Sequence, residues 1–348
     1  MRVVVTGSTG FLGSLLVRRL LKDGLAHPTL VQQTGLRCCS PAEIHVVALG
    51  RNKSKGQELA DAGAAFVQCD LSVEPDKVVK ALEGAEVVFH CAAKCELVGR
   101  WEDFIAANVT ATQNIVEACA INNVAALVHV STPSVYVTTR DRTNLVEDMA
   151  ASSQINYYAK TKLMAEEVVL HAVKSKRLSH AVILRPRGLI GPGDTTVIPR
   201  IVARMRSGQF PLIGGGTAWQ DLTFVGNVVD SLLCAATVTD GRVHGKIYNV
   251  TNGEAIRVVT LIDRIAERIG GRTNKRYVPF WLAFCIGHVC ELIWKIFKLR
   301  GEPTLTRYVA CVFGKSLTLN IEPAKRELHY RPRVAMDEAL ALAVDCLR

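Results

Sequence analysis

The sequence predicts an α/β fold, a doubly wound parallel sheet with a smaller C-terminal lobe. Short runs rich in Val, Ile and Ala alternate with longer stretches of helical spacing through the first half of the chain. Runs that are apolar throughout belong to strands buried on both faces, and helices between them cover a parallel sheet. A glycine-rich turn follows the first run, and after Pro186 the alternation gives way to Gly/Pro turns and isolated helices.

Taken in order, strands are predicted over residues 2–6, 44–49, 65–69, 87–91, 126–131 and 181–184, with helices over 11–22, 101–121 and 156–173. Residues 1–186 make the dinucleotide-type domain and 187–348 mainly a substrate lobe. Residues 26–42, with Pro28, Gly35, Pro41 and the adjacent Cys38 and Cys39, interrupt the first βαβ unit as a surface insertion.

The 348 residues are 49% hydrophobic and 21% charged, which excludes a disordered tail, a collagen-like repeat or a disulfide miniprotein. A net charge of +10 points to an anionic partner: a phosphorylated cofactor, an acidic lipid surface or nucleic acid. Scattered basic residues, without zinc-finger spacing or an RNP-type motif, set nucleic acid aside. Eleven Cys, an odd number with no C-x-x-C pair, read as free thiols in a reducing, intracellular setting, with no metal site expected.

Gly7-Ser8-Thr9-Gly10-Phe11-Leu12-Gly13 is G-x-x-G-x-x-G between a strand and a helix. Such a turn brings backbone N–H groups and a helix N-terminus to a pyrophosphate, the signature of a Rossmann fold. Gly7, Thr9, Gly10, Phe11, Leu12 and Gly13 are therefore candidate cofactor-binding residues. The second strand ends Gly50-Arg51-Asn52, followed by Lys53 and Lys55, with no carboxylate for a ribose hydroxyl. Arg51 favours a 2′-phosphate and thus NADP(H), with NAD(H) left open; the alternative is a solvated strand-end charge.

Tyr158 and Lys162 stand four apart on a predicted helix, so phenol and ammonium share a face. A nearby ammonium is expected to lower the phenol from its usual pKa of about 10 and make it a general acid or base. Tyr157 has no Lys four residues on.

Together with Ser131-Thr132-Pro133 after the fifth strand, these motifs resemble the extended short-chain dehydrogenase/reductases over nearly the whole chain. The resemblance implies that Thr132 hydrogen-bonds the reacting oxygen, with Ser131 and then Ser134 as fallbacks. It also implies that Asp70 and Leu71 border the adenine, that Ala92-Ala93-Lys94 loops over the cofactor and that Pro186 lies beside the nicotinamide. Asn108, in an N-V-x-A-T version of the family's N-V-x-G-T, becomes a structural or proton-relay residue.

Phe224-Val225-Gly226-Asn227-Val228 and Gly191-Pro192-Gly193-Asp194 resemble the 3β-hydroxysteroid dehydrogenase branch. The run Leu299-Arg300-Gly301-Glu302-Pro303, with Glu322-Pro323-Ala324, is closer still to bacterial 2-alkyl-3-oxoalkanoate reductases. Both imply a greasy substrate. The expected function is NADP(H)-dependent interconversion of a 3-oxo and a 3-hydroxy group on a lipid-like or steroid-like body. The alternatives are a nucleotide-sugar epimerase or dehydratase with retained NAD, and a non-catalytic NADP(H)-binding interaction protein.

Residues 280–299 carry an apolar stripe, Leu282, Cys285, Val289, Leu292, Ile296 and Leu299, opposite a narrow face of His288, Glu291, Lys295 and Lys298. The stretch reads as too short and too charged for a membrane span. It fits either a helix in peripheral contact with a membrane or a lipid pocket, or one packed in the lobe or a homodimer contact.

Overall fold

The computed structural model describes residues 1–29, 37–206, 209–238, 240–270, 274–299 and 301–347. Strands β1 (Arg2–Thr6), β2 (His45–Gly50), β3 (Ala65–Gln68), β4 (Val87–His90), β5 (Ala126–Val130), β6 (Ala181–Pro186) and β7 (Lys246–Val250) form a seven-stranded sheet. Its order is β7-β6-β5-β4-β1-β2-β3, and every neighbouring pair is parallel. Parallel neighbours require crossovers, which accounts for the intervening helices. The order reverses between β1 and β4, where such sheets bind ligands beyond their carboxyl ends.

Helices α1 (Phe11–Asp23), α2 (Ala111–Ile121), α3 (Tyr157–Lys174) and α4 (Val225–Thr237) pack on this sheet. Leu16 and Leu20 of α1 and Val228 and Leu232 of α4 join Val3, Val5, Phe89 and Val128 in one core. Ile115 of α2 and Val169 of α3 join Val4, Val47, Val88 and Ile183 in the other. Consecutive Val3, Val4 and Val5 alternate between the faces, and all are fully buried, as a strand covered on both sides requires.

Each predicted strand and helix is present with small shifts at its ends, except that residues 101–121 are not one regular helix. A wide π turn, Ile105–Thr110, joins a single turn at Trp101–Phe104 to α2. Strand β7 was not anticipated, because the buried polar Asn249 interrupts its apolar run. It brings the chain back to the main sheet after residue 186, while Arg142–Leu145 pairs with Leu317–Leu319 in a four-stranded sheet of the lobe. The two bodies therefore exchange segments, and the site lies where they meet. Of the segment 26–42, residues 30–36 fall outside the described ones. Beside them Leu25 bridges Cys39, and His27 Nε2 lies 2.9 Å from the Leu328 carbonyl.

Helix α5 (Phe280–Phe297) runs unbroken for 18 residues with mean hydropathy 1.5, long and apolar enough by length and composition to cross a membrane. The expectation that the stretch is too short and too charged for a span is corrected on length and composition alone, since the 18 residues, with Glu291 and Lys295 among them, meet both measures. Its Phe280 and Ala283 anchor it to α6 (Arg307–Gly314) and to Val135 and Tyr136 beneath the site.

Candidate active site

Gly7 closes β1 with φ +65°, and a Cβ there would come within 2.7 Å of the Ala92 backbone. One at Gly13 would lie 2.3 Å from the Gly7 carbonyl oxygen. Side chains at these positions would fill the cradle, so both glycines are sterically required. Helix α1 begins at Gly10 with no side-chain cap and no acid in its first turn, which leaves the N–H groups around Phe11 and Leu12 and the positive helix end for an anion. Thr9 lies under the end of β2, where a Cβ on Gly50 would touch its side chain at 2.8 Å. Phe11 faces the lobe, where a Cβ on Gly193 would lie 3.5 Å from its ring.

Arg51 follows β2, exposed, with its guanidinium 3.8 Å from the Asp70 carboxylate at the end of β3. Asp70 Oδ1 accepts from the Ser72 N–H at 3.0 Å and hydroxyl at 2.7 Å. These bonds, led by the Ser72 hydroxyl and helped by Arg51, hold the Asp70 carboxyl below its usual range. The next residue, Leu71, is buried, and its carbonyl accepts from Asn114 Nδ2 at 2.7 Å.

Beyond β4 the Ala92-Ala93-Lys94 loop is stapled by Asn108 of the π turn. Asn108 Oδ1 accepts the Lys94 N–H at 2.7 Å, while its Nδ2 donates to the Lys94 carbonyl at 3.2 Å and to Thr161 Oγ1 at 2.9 Å. Its side chain is buried and fully engaged in holding the loop against α3. The Lys94 ammonium is 2.7 Å from Glu96. Farther along, Glu302 accepts the Leu97 N–H at 2.6 Å and pairs with Arg200 at 2.6 Å, so Glu302 clamps the same loop from the lobe.

The candidate reaction centre forms where α3 meets the end of β5. Asn156 caps α3 by accepting the Ala159 N–H at 2.9 Å, setting Tyr157 and Tyr158 in the first turn. Tyr157 is used in packing, edge-on to Trp101 at 5.1 Å between centroids. Tyr158 turns instead toward Thr132 and Cys95. Thr132 Oγ1 donates to Ser134 Oγ at 3.0 Å, and Ser134 Oγ lies 2.8 Å from the hydroxyl of Tyr308 on α6. Ser131 Oγ is buried without a hydrogen-bond partner, and Pro186 is buried at the end of β6.

Lys162 does not point at Tyr158. Its ammonium donates to the Val130 carbonyl at 2.7 Å and lies 3.3 Å from His129 Nε2. Burial lowers Lys162 to about 8, and burial with the Lys162 charge keeps His90 and His129 neutral. Burial, reinforced by Cys95, pushes the Tyr158 phenol well above the ordinary tyrosine range, with Thr132 offsetting only part of the shift. The expected lowering by Lys162 is therefore corrected: desolvation of the phenol dominates, and the phenol is held protonated.

Below this centre Arg185 of β6 makes a buried bidentate pair with Glu166 of α3, at 2.8 and 2.6 Å. It also reaches the Tyr136 hydroxyl at 2.5 Å and the Glu147 carbonyl at 2.8 Å. Tyr136 in turn donates to Asn249 of β7 at 2.8 Å. The network fixes the 133–136 turn beside Thr132. Sequence reading missed it, together with Tyr308 and Cys95, because no local spacing marks them.

Known proteins resemble the chain over most of its length. Residues 3–251 match the NAD dependent epimerase/dehydratase family. The chain is 33% identical to a 2-alkyl-3-oxoalkanoate reductase of Stenotrophomonas maltophilia, over 98% of this chain and 97% of that one. It is 30% identical to the mouse (Mus musculus) sterol-4-alpha-carboxylate 3-dehydrogenase, decarboxylating, over 99% and 90%. Among solved structures, MoeE5 in complex with UDP-glucuronic acid and NAD superposes with a TM-score of 0.75 at 26% identity, covering 100% of this chain and 99% of that one. With a glycine cradle on a parallel sheet and a Tyr/Thr centre at its carboxyl edge, the chain belongs to the NAD dependent epimerase/dehydratase family, the extended short-chain dehydrogenase/reductases, as an oxidoreductase of hydroxyl or oxo groups.

Proposed function

We propose that the protein interconverts a 3-oxo and a 3-hydroxy group on a lipid-like or steroid-like substrate with NADP(H). The observation that carries this reading is the Tyr158 hydroxyl set beside Thr132, beyond the end of β5, with the glycine cradle following β1 of the same parallel sheet. Two relatives, named a 2-alkyl-3-oxoalkanoate reductase and a sterol-4-alpha-carboxylate 3-dehydrogenase and matched over 97% and 90% of their lengths, support the substrate class. Gly7, Thr9 and the Gly10–Gly13 turn hold the pyrophosphate, and Arg51 takes the 2′-phosphate. Asp70 and Leu71 border the adenine, Ala92, Ala93 and Lys94 cover the dinucleotide, and Pro186 faces the nicotinamide.

When bound, the nicotinamide supplies or accepts the hydride. In reduction, Thr132 orients the carbonyl oxygen and Tyr158 gives it a proton as negative charge develops there. A phenol is protonated at neutral pH and so is in the form that reduction requires, and the negative charge developing on the substrate oxygen draws the proton across. Lys162 fixes the first turns of α3 through the Val130 carbonyl and presents its charge to the nicotinamide ribose, and Asn108 keeps the covering loop in place.

The likeness to MoeE5, named with NAD and UDP-glucuronic acid, favours a second reading, nucleotide-sugar epimerisation or dehydration with retained NAD. A turnover screen separates the two. Purified protein consumes NADPH with 3-oxo acyl or 3-oxo sterol compounds and leaves UDP- and dTDP-sugars unchanged under the first reading. Co-purifying NAD with conversion of a nucleotide sugar establishes the second instead.

A further inference from the structure

The outward face of α5 is inverted relative to a helix of a water-facing surface. Leu282, Val289, Leu292, Ile293, Ile296 and Phe297 are exposed, the last two at 69% each. The inward line is Phe280, Ala283, Gly287 and Glu291. A Cβ on Gly287 would lie 2.5 Å from the Thr306 carbonyl carbon, so α5 meets the chain entering α6 directly. Glu291 turns to this side, accepting the Arg307 N–H and Nε–H at 2.7 Å each. The helix thus turns its carboxylate inward and presents its apolar stripe to the outside, the reverse of the pattern that gains from folding in water.

The rim of the exposed face carries one sign. Between residues 276 and 299 the charged residues are Arg276, Glu291, Lys295 and Lys298. With Glu291 taken by Arg307, the exposed ones are all cationic. Exposed Tyr277 and Trp281 stand where the chain enters the helix, the position amphipathic rings take at a lipid headgroup layer. We propose that α5 docks in the plane of a lipid bilayer bearing anionic headgroups, its apolar face among the acyl chains and Arg276, Lys295 and Lys298 at the phosphates.

A second copy of the chain fits this face less well. Pairing two such faces about a two-fold axis sets one cationic rim against another, whereas an anionic surface complements both ends at once. A spanning helix is disfavoured by packing: one side of α5 is fixed to α6 through Gly287 and Glu291, which a helix surrounded by lipid would have to give up. Docking also sets α6, which carries Tyr308, against the membrane side. That the bilayer delivers substrate to the centre rests on the proposed lipid reading; binding itself does not.

The test is flotation of the full chain with vesicles of phosphatidylcholine plus phosphatidylglycerol, and with phosphatidylcholine alone, scored by bound protein without turnover. A wrong substrate therefore leaves the result untouched. Wild type is expected to float with the anionic vesicles and much less with the neutral ones. Leu292→Asp/Ile296→Asp and, separately, Lys295→Glu/Lys298→Glu are expected to lower partitioning by about tenfold or more, with an unchanged thermal transition. The lysine pair leaves the apolar face intact, so it reads the electrostatic contact even if the aspartates perturb folding. Wild type remaining in solution with both vesicles overturns the proposal. So does equal binding by all variants, or a dimer that Ile296→Asp dissociates in a protein that binds no vesicle.

Discussion

The Tyr308 hydroxyl of the lobe lies 2.8 Å from Ser134 Oγ of the sheet domain, across 174 residues of sequence. Ser134 also accepts from Thr132, so the lobe reaches Thr132 through one hydroxyl. Tyr308→Phe removes this tie and keeps the ring. Since a single hydrogen bond contributes about 1 kcal/mol, kcat is expected to fall roughly fivefold with cofactor affinity unchanged. Tyr158→Phe is expected to cost about 10²- to 10⁴-fold in kcat. Steady-state kinetics with parallel cofactor titrations check both, and equal losses would place the two tyrosines in one role.

Arg51 is exposed and only loosely paired with Asp70 at 3.8 Å, so it is available to a phosphate. A charge-assisted contact is worth about 1.5–3 kcal/mol, so Arg51→Ala should weaken NADPH roughly ten- to a hundredfold and leave NADH nearly unchanged. Fluorescence titration with both cofactors measures this. Equal weakening of the two would remove Arg51 from a phosphate-reading role.

Burial lowers Lys162 to about 8, against about 10.4 in an unfolded chain. Between those values the unfolded state holds a proton the native state has lost, so this group's contribution to stability rises with pH across the window. Denaturant unfolding of the cofactor-free protein should show wild type gaining on Lys162→Met from about pH 8 to about pH 10. A pH-independent gap would mean that the ammonium is not desolvated.

Arg185 and Glu166 form a buried, bidentate pair that also holds Tyr136. Removing one partner leaves an uncompensated buried charge, so Glu166→Gln should destabilise by about 3–5 kcal/mol. The urea midpoint reports this, and a change under about 1 kcal/mol would show the pair to be solvated.

What the sequence made legible is what local spacing encodes. The G-x-x-G-x-x-G turn works because its residues are consecutive, and Tyr158 is distinguished from Tyr157 by a lysine one helical turn on. The Val-rich strands were readable because burial on both faces leaves no polar alternation. Tyr308, Cys95 and the Arg185–Glu166 pair were not readable, because tertiary folding alone brings them together. Where Lys162 points was equally hidden: four-residue spacing fixes a helix face, but the Val130 carbonyl decides the direction of the ammonium. The α5 stripe was visible as a pattern, while its exposure depended on Gly287 and Glu291 facing α6.

The most direct test of the account follows the hydride itself. Protein is incubated with NADPH deuterated at the nicotinamide C4 and a 2-alkyl-3-oxoalkanoate, and the hydroxy product is read by mass spectrometry and proton NMR. The account predicts deuterium at C3 of the lipid product, formed by wild type and lost with Tyr158→Phe. A product without deuterium at C3, or equal labelling with Tyr158→Phe, would contradict it.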